Sequence, residues 1–500
     1  MKKFIVVISL IFITACGGTS ATPSNSISAK TLDDYYNQTL TWETCKGSFE
    51  CSELTVPLDY SNPSGETIQI ALMKFPALNQ EEKLGSIVVN PGGPGGSGID
   101  YVTYYDYQFT RALYSVYDMV GFDPRGVMKS APVDCLSDFE MDAYLSSDST
   151  PDTSAEVSEF LSSSEEFSKA CLENTGSSIN HVSTIETARD MDVLRSALGE
   201  TKLNYLGKSY GTQLGAVYAH NFPENVGKFV LDGAVDMAGD TSDLTLGQLK
   251  GFTTALNRFG QYCAYGETDC SLGQSPEAVI ETIKNLMISL DSNPLPTDQG
   301  RELTEALAWT ALIGPQYAPA DAWDWLIMGL EEAVDGDGTT LMDIADWFNG
   351  RNPDGTYEDN LTEAYWAITC SDAGPKTSSP EALLSEYTKI DSLLGAVFAW
   401  SEGGCYNWPF DRGIDLKDVS APTADPIVVI GTTYDPATPD AWAKALASQL
   451  QVGIYINFNG DGHTAYKSGS RCIDSLVDAY FIDGVIPTAN TSCEPNRPLI

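Results

Sequence analysis

The chain is 500 residues long, 42% hydrophobic, and carries 28 basic against 69 acidic side chains, a formal charge of −41. That length exceeds one small core and predicts two domains, or one large domain with an insertion. The charge excludes nucleic acid as a partner, because such a surface repels phosphates; it favours solubility in salt and attracts cationic groups.

In chain order, Lys2 and Lys3 precede the run FIVVISLIFI, too short to cross a bilayer as a helix, which predicts a secretory signal over residues 1–15. The run ends in Ile13-Thr14-Ala15-Cys16, which resembles the lipobox of bacterial lipoproteins. That resemblance implies acylation of Cys16 and an extracytoplasmic protein whose contact with a bacterial membrane is through its N-terminal lipid only. Residues 16–40 begin as a tether, GGTSATPSNSISAK, without large apolar side chains. Beyond Cys16 there are ten cysteines: 45, 51, 135, 171, 263, 270, 370, 405, 472 and 493. An even number in an oxidising compartment predicts disulfides. Spacing does not fix their connectivity; pairing of neighbours along the chain is the expectation.

From about residue 67 strand-like and helix-like runs alternate. ETIQIALMKF alternates as an exposed strand, and GSIVVN is a buried strand leading into PGGPGGSG. YDMVGFD precedes PRG, KLNYLG precedes the helical SYGTQLGAVYAHNF, and VGKFVLDGAV, PIVVIG and GIYINF complete the strands. Such alternation predicts an α/β fold with a mainly parallel sheet covered by helices on both faces. Residues 240–365 differ, with apolar residues recurring at three- and four-residue spacing, and read as a helical cap. It would divide the sheet domain into residues 41–239 and 366–500. The acidic, serine-rich stretch between Cys135 and Cys171 reads as a surface excursion.

Gly207-Lys208-Ser209-Tyr210-Gly211 is the chain's one G-x-S-x-G, set between a strand-like and a helix-like run. On such a bend the serine Oγ is exposed, and the glycines admit the close approach of strand and helix. A serine needs a base. Of three histidines, His181 precedes the bend, His220 lies on the helix after it, and His463 follows the last strand. Doubly wound hydrolases order nucleophile, acid, base, so His463 is the candidate. Asp435, just past the strand PIVVIG, is the candidate acid. Asp461 stands only two residues from His463 and Asp425 precedes its strand. Thr438-Pro439 reads as a helix N-cap and first turn that fix the Asp435 loop. The backbone N–H of Tyr210 and one from the glycine loop, Gly93 first and Gly92 next, would hold the oxyanion. Asp123 and Arg125 in FDPRG read as a structural ion pair or turn. Trp323, Trp325 and Trp366 are candidates for the cleft between cap and sheet. None of this chemistry calls on a metal or an organic cofactor.

Together, NPGGPGGSG, GFDPRGVMKS, GKSYGTQLGAVYAHNFPENVGKFVLDGAVD, AITCSD, GTTYDPATP and GDGHTAY resemble the secreted tripeptidyl aminopeptidases of the α/β-hydrolase fold, relatives of the prolyl aminopeptidases. The resemblance runs from about residue 40 to the end. It implies a helical cap over the active site and release of short peptides from free N-termini. Prolyl aminopeptidases carry H-G-G-P-G where this chain has Pro91, which points to the tripeptidyl branch. A substrate α-amine needs a carboxylate. Asp372 in AITCSD is the first candidate, with Asp321, Asp324, Glu331 and Glu332 behind it. An esterase or amidase acting on small molecules would use the same nucleophile, acid and base. A peptide-binding lipoprotein would need none of them.

Overall fold

Runs such as Ile87-Val88-Val89 and Met119-Val120 are apolar without alternation because both of their faces are covered. In the computed structural model, which describes residues 30–374, 379–406, 408 and 416–500, they lie in a ten-stranded sheet. In chain order the strands are β1 Glu43–Lys46, β2 Phe49–Pro57, β3 Thr67–Phe75, β4 Gly85–Asn90, β5 Tyr117–Phe122, β6 Leu203–Lys208 and β7 Val226–Asp232, then β8 Leu295–Pro296 and β9 Glu302–Leu303 as a separate pair, then β10 Ile427–Tyr434, β11 Gly453–Asp461 and β12 Thr491–Cys493. The sheet order is β1-β2-β3-β5-β4-β6-β7-β10-β11-β12. From β5 to β12 all neighbours are parallel, while β1, β2 and β3 form an antiparallel edge. β6, β7, β10 and β11 stand side by side, so the loops at their C-terminal ends share one rim. Ligands of open parallel sheets bind at that rim.

One sheet face packs Val88, Val120, Tyr205 and Phe229 against helices that include Thr184–Ala197 and Tyr210–Asn221. The other buries Ile87, Val89, Leu206, Val230 and Val428. A separate core around Leu249, Phe259, Ile283, Trp309 and Leu326 belongs to the cap.

Three expectations are revised. β1 and β2 precede the expected start of the sheet near residue 67; they form an edge hairpin whose mixed burial hides the periodicity. The stretch between Cys135 and Cys171 is no simple excursion: it holds the helix Ser154–Thr175, which sends Phe167 and Cys171 into the sheet-side core. The cap does not end at residue 365. Helix Leu361–Ala373 packs Ala364, Ala367 and Ile368 on the sheet side. The chain then returns to the cap in Glu381–Ile390 and Gly395–Ser401, where Tyr387, Leu394 and Phe398 join the cap core. The sheet resumes only at Ile427. A short amphipathic helix has the same pattern whichever core it faces, so periodicity could not assign these.

The disulfides join neighbours along the chain: Cys45–Cys51, Cys135–Cys171, Cys263–Cys270, Cys370–Cys405 and Cys472–Cys493. The signal, Cys16 and the tether up to residue 29 lie outside the described residues. No described helix is long and apolar enough to cross a membrane.

Candidate active site

β6 ends at Lys208, and Ser209 turns the chain into the helix Tyr210–Asn221 at φ 55°, ψ −125°. A non-glycine residue there carries roughly 1–3 kcal/mol of strain, which the surroundings must hold. They do so through the Ser209 N–H, which donates to the Asp232 carbonyl (2.9 Å), and the Ser209 carbonyl, which accepts from the Thr212 N–H (2.8 Å). The flanking glycines are obligatory. A Cβ on Gly207 would lie 2.4 Å from the Gly211 carbonyl oxygen, and one on Gly211 would lie 2.8 Å from that of Asn90.

Asp435 follows β10 and is buried. Its carboxylate accepts from the N–H groups of Ala437 (2.9 Å), Thr438 (2.8 Å) and Thr464 (3.1 Å). His463 follows β11, and its Nδ1 meets the two Asp435 oxygens at 2.9 and 3.0 Å. Its Nε2 is buried and makes no hydrogen bond to any described residue. A Cβ on Gly233 would sit 3.4 Å from His463 Cε1. Gly233 directly follows Asp232, which holds the Ser209 N–H, so the imidazole lies beside the nucleophile's bend.

Asp461 and Asp425 are engaged elsewhere, with Arg258 and Lys202. His181 Nδ1 pairs with Glu186 (2.9 Å) and His220 Nδ1 with the Ser420 carbonyl (2.9 Å). The Thr438 cap is a correction. The helix Asp440–Gln449 is preceded by Pro439 at its cap position, and the Thr438 hydroxyl lies 3.3 Å from His463 Nδ1 instead. Arg125 and Asp123 are structural but not paired to each other. Arg125 is buried in a two-pronged ion pair with Asp190 (2.7 Å for both contacts), and Asp123 accepts from the Ser97 hydroxyl.

After β4 the chain passes through Gly92 and Gly93 at φ 104° and 107°, a region open to glycine. A Cβ on Gly92 would strike the Lys208 carbonyl oxygen (2.7 Å) and Ser209 Cβ (2.8 Å). The loop therefore lies directly on the nucleophile. The Gly92 N–H already donates to Asn90 Oδ1 (3.0 Å), which makes Gly93 the better placed donor.

Ser209, Tyr210, Gly93 and Asp372 line one cavity of about 570 Å³. Asp372 accepts from the Thr184 N–H (2.9 Å), the Thr184 hydroxyl (2.5 Å) and Gln213 Nε2 (3.3 Å). The same Thr184 Oγ1 lies 2.6 Å from the Tyr210 hydroxyl. Burial raises the Asp372 carboxyl to about 7, against the lowering effect of the Thr184 hydrogen bonds. Asp321, Asp324, Glu331 and Glu332 do not line the cavity; they lie on the cap helix Pro319–Val334, where Asp324 accepts from Tyr262 and Glu331 from Ser271. Trp323, Trp325 and Trp366 are absent from its wall as well, and Trp323 is buried in the cap core. Tyr210, Tyr365 and Trp442 supply the cavity's aromatic surface instead. Sequence reasoning missed Thr184, Gln213 and Trp442. Gln213 was findable, one helical turn beyond Ser209; Thr184 carries no local signal.

A serine on a strained strand-to-helix bend, beside a carboxylate-bound imidazole and a glycine loop, defines a serine hydrolase of the α/β-hydrolase fold. Residues 85–265 match the α/β-hydrolase fold family and residues 391–493 the TAP-like protein family. The chain is 35% identical to the serine protease Hip1 of Mycobacterium tuberculosis over 93% of each chain. It is 33% identical to carboxylesterase B of the same organism (89% of this chain, 86% of the relative) and 29% identical to the tripeptidyl aminopeptidase of Streptomyces lividans (91% and 86%). The chain belongs to this TAP-like family, the serine peptidase branch of the fold.

Proposed function

We propose that the protein is an extracytoplasmic, lipid-anchored exopeptidase that releases short peptides, tripeptides first, from free N-termini. Ser209 Oγ attacks the scissile carbonyl carbon and its proton passes to His463 Nε2. Asp435 orients the imidazole and stabilises its charged form. The N–H groups of Tyr210 and Gly93 hold the oxyanion. As the C–N bond breaks, His463 gives the proton to the leaving amine. Water then attacks the acyl-enzyme, one proton passing through His463 back to Ser209 Oγ. The cavity of about 570 Å³, walled on one side by the cap helix residues Thr241, Leu244 and Gln248, favours short peptides over folded ones.

The observation that carries the exopeptidase reading is a carboxylate, Asp372, in the same cavity as Ser209. It is positioned to take the substrate ammonium. Asp372 is joined to Tyr210 through Thr184, by contacts of 2.5 and 2.6 Å. The anchor thus lies one tyrosine side chain and two hydrogen bonds from the oxyanion donor. That path is an upper limit on the reach, and it accommodates an extended tripeptide of roughly 10 Å. The relative named a tripeptidyl aminopeptidase supports that length. The apolar wall of Val235, Met237, Leu244 and Trp442, with the relative named carboxylesterase B, favours small esters as the second reading.

The test uses protein starting at residue 17 with a tripeptide chromogenic amide, its N-acetylated twin and a simple acyl ester, beside Ser209→Ala. Turnover of the free-amine amide alone, abolished in the variant, is expected. Equal turnover of the acetylated amide would end the exopeptidase reading. The anchor is tested in the full chain, where Cys16→Ser should move the protein from the membrane fraction to the soluble one; retention on the membrane would refute acylation at Cys16.

A further inference from the structure

The acid and the base of the proposed mechanism leave the sheet from adjacent strands. β10 and β11 are parallel neighbours, and their ladder ends where Tyr434 lies opposite Asp461, after a register shift beyond Thr432. One residue past Tyr434 is Asp435, and two past Asp461 is His463. Beyond this fork the two loops meet through the Asp435 contacts with His463 and the Thr464 N–H. A cap residue grips the fork itself. Arg258, on the cap helix Thr241–Tyr265, places its guanidinium 3.9 Å from the centre of the Tyr434 ring. Its Nε and Nη2 donate to both oxygens of Asp461, the latter at 2.7 Å. A two-pronged pair fixes orientation as well as distance, and stacking on an aromatic face adds to it.

The same helix is pressed onto the acid's loop further along. A Cβ on Gly251 would lie 2.3 Å from the Pro436 carbonyl oxygen and 3.1 Å from that of Asp435. Gly251 and Arg258 are seven residues apart, two turns, and so share one helix face. A second cap segment grips the base: the His463 N–H donates to the Tyr317 carbonyl (2.9 Å), and the Tyr317 ring packs edge-on against the imidazole at 5.1 Å. The cap therefore touches both loops, and Arg258 bridges the two strand ends from which they leave.

We propose that Arg258 is a positioning residue for the acid–base pair: it clamps the β10–β11 fork, so the cap completes the catalytic geometry as well as covering the cavity. The proposal rests on the assignment of Asp435 and His463 above. Arg258 does not line the cavity, so its loss acts on turnover more than on binding.

The full chain in detergent is assayed as wild type, Arg258→Ala, Arg258→Gln and Asp461→Asn, with the tripeptide amide and with a small acetyl ester that reaches neither the amine site nor the cap. Thermal melts accompany each, so that only folded variants are compared. Displacements near 1 Å cost up to about 100-fold in rate, so a fall in kcat of roughly 10- to 100-fold is expected on both substrates, with KM little changed. Asp461→Asn should fall alongside, and the double variant Arg258→Ala/Asp461→Asn should be no worse than the single ones. Should Arg258→Ala unfold, the Gln and Asn variants carry the same comparison. A rise in KM for the tripeptide with the ester untouched would overturn the proposal and leave Arg258 a substrate-side residue. Unchanged kcat in every folded variant would overturn it as well. Failure of the underlying assignment is distinct: wild type would then turn over substrate no faster than Ser209→Ala.

Discussion

Replacing Asp372 by Asn separates two consequences of one buried carboxyl. Burial raises this group from 3.8 to about 7 in the folded protein. The unfolded chain ionises it near its ordinary value. Between those two pH values the folded state holds more protons than the unfolded one, so stability falls as pH rises through the window. The interval from 3.8 to about 7 corresponds to roughly 4 kcal/mol at about 1.4 kcal/mol per pH unit. That is a ceiling, because the carboxyl opens on the cavity. Asn cannot ionise. Its Oδ1 keeps the Thr184 N–H, and its amide can donate to the Thr184 hydroxyl, which then turns its proton toward Tyr210. Asp372→Asn should therefore gain about 2–4 kcal/mol over the parent at pH 8 and nothing near pH 4. Activity should move the other way. A hydrogen bond to a charged group contributes about 1.5–3 kcal/mol, so kcat/KM for a free-amine tripeptide should fall by roughly 10- to 150-fold. The acetylated twin and a simple ester should be unaffected. Urea unfolding at both pH values, beside initial rates, measures everything needed. Equal stabilisation at the two pH values would show that the native carboxyl is not held neutral; equal losses on blocked and free peptides would remove it from amine recognition.

Two further substitutions probe the frame. At Gly92 an added Cβ would meet the Lys208 carbonyl oxygen at 2.7 Å and Ser209 Cβ at 2.8 Å, at φ 104°, and neither neighbour can yield. Gly92→Ala should lower kcat by roughly 100-fold or more, the scale of losing an oxyanion donor. Labelling by a serine-directed fluorophosphonate at the parental rate would contradict it. Asp190→Asn leaves the Arg125 guanidinium buried without its main counter-ion. The expected cost is about 3–5 kcal/mol, read as a lower urea midpoint, with unchanged activity per folded molecule. An unaltered midpoint would mean that the carbonyls of Leu58 and His181 suffice for this charge.

The sequence disclosed what local chemistry dictates. Ser209 was visible because a bend between strand and helix demands glycines on both sides, and Asp435 and His463 because each follows a parallel strand in an invariable order. The sequence offers both Gly93 and Gly92 as donors; that the Gly92 N–H is spent on Asn90 needs coordinates. Contacts that join distant segments left no trace. Thr184 is 188 positions from Asp372, and Arg258 is 203 from Asp461. Threonines and arginines with such partners look like any others in the chain. The cap boundary failed for a related reason: Ala364 and Phe398 lie on similar short helices, and only packing separates the core that each joins.

The proposed selectivity for a free amine rests on the surroundings of Asp372. Its three hydrogen-bond donors, the Thr184 N–H and hydroxyl and Gln213 Nε2, are uncharged, whereas Asp190 and Asp461 each accept from an arginine. Burial makes the ionised form costly, and a substrate ammonium offsets that cost. Binding then requires Asp372 ionised, above about 7, and the substrate α-amine protonated, below about 7.7–8.0. These limits cross in a narrow band, so kcat/KM for a free-amine peptide should peak between pH 7 and 8. The acid–base pair works in the same assay but acts equally on an ester. Dividing the peptide rate by the ester rate on the same enzyme removes its contribution and leaves the amine–carboxylate pair alone. That ratio should rise through neutrality and fall again above pH 8. It should be flat for Asp372→Asn, and a ratio already flat from pH 5 to 9 in the parent would mean that the amine is recognised elsewhere.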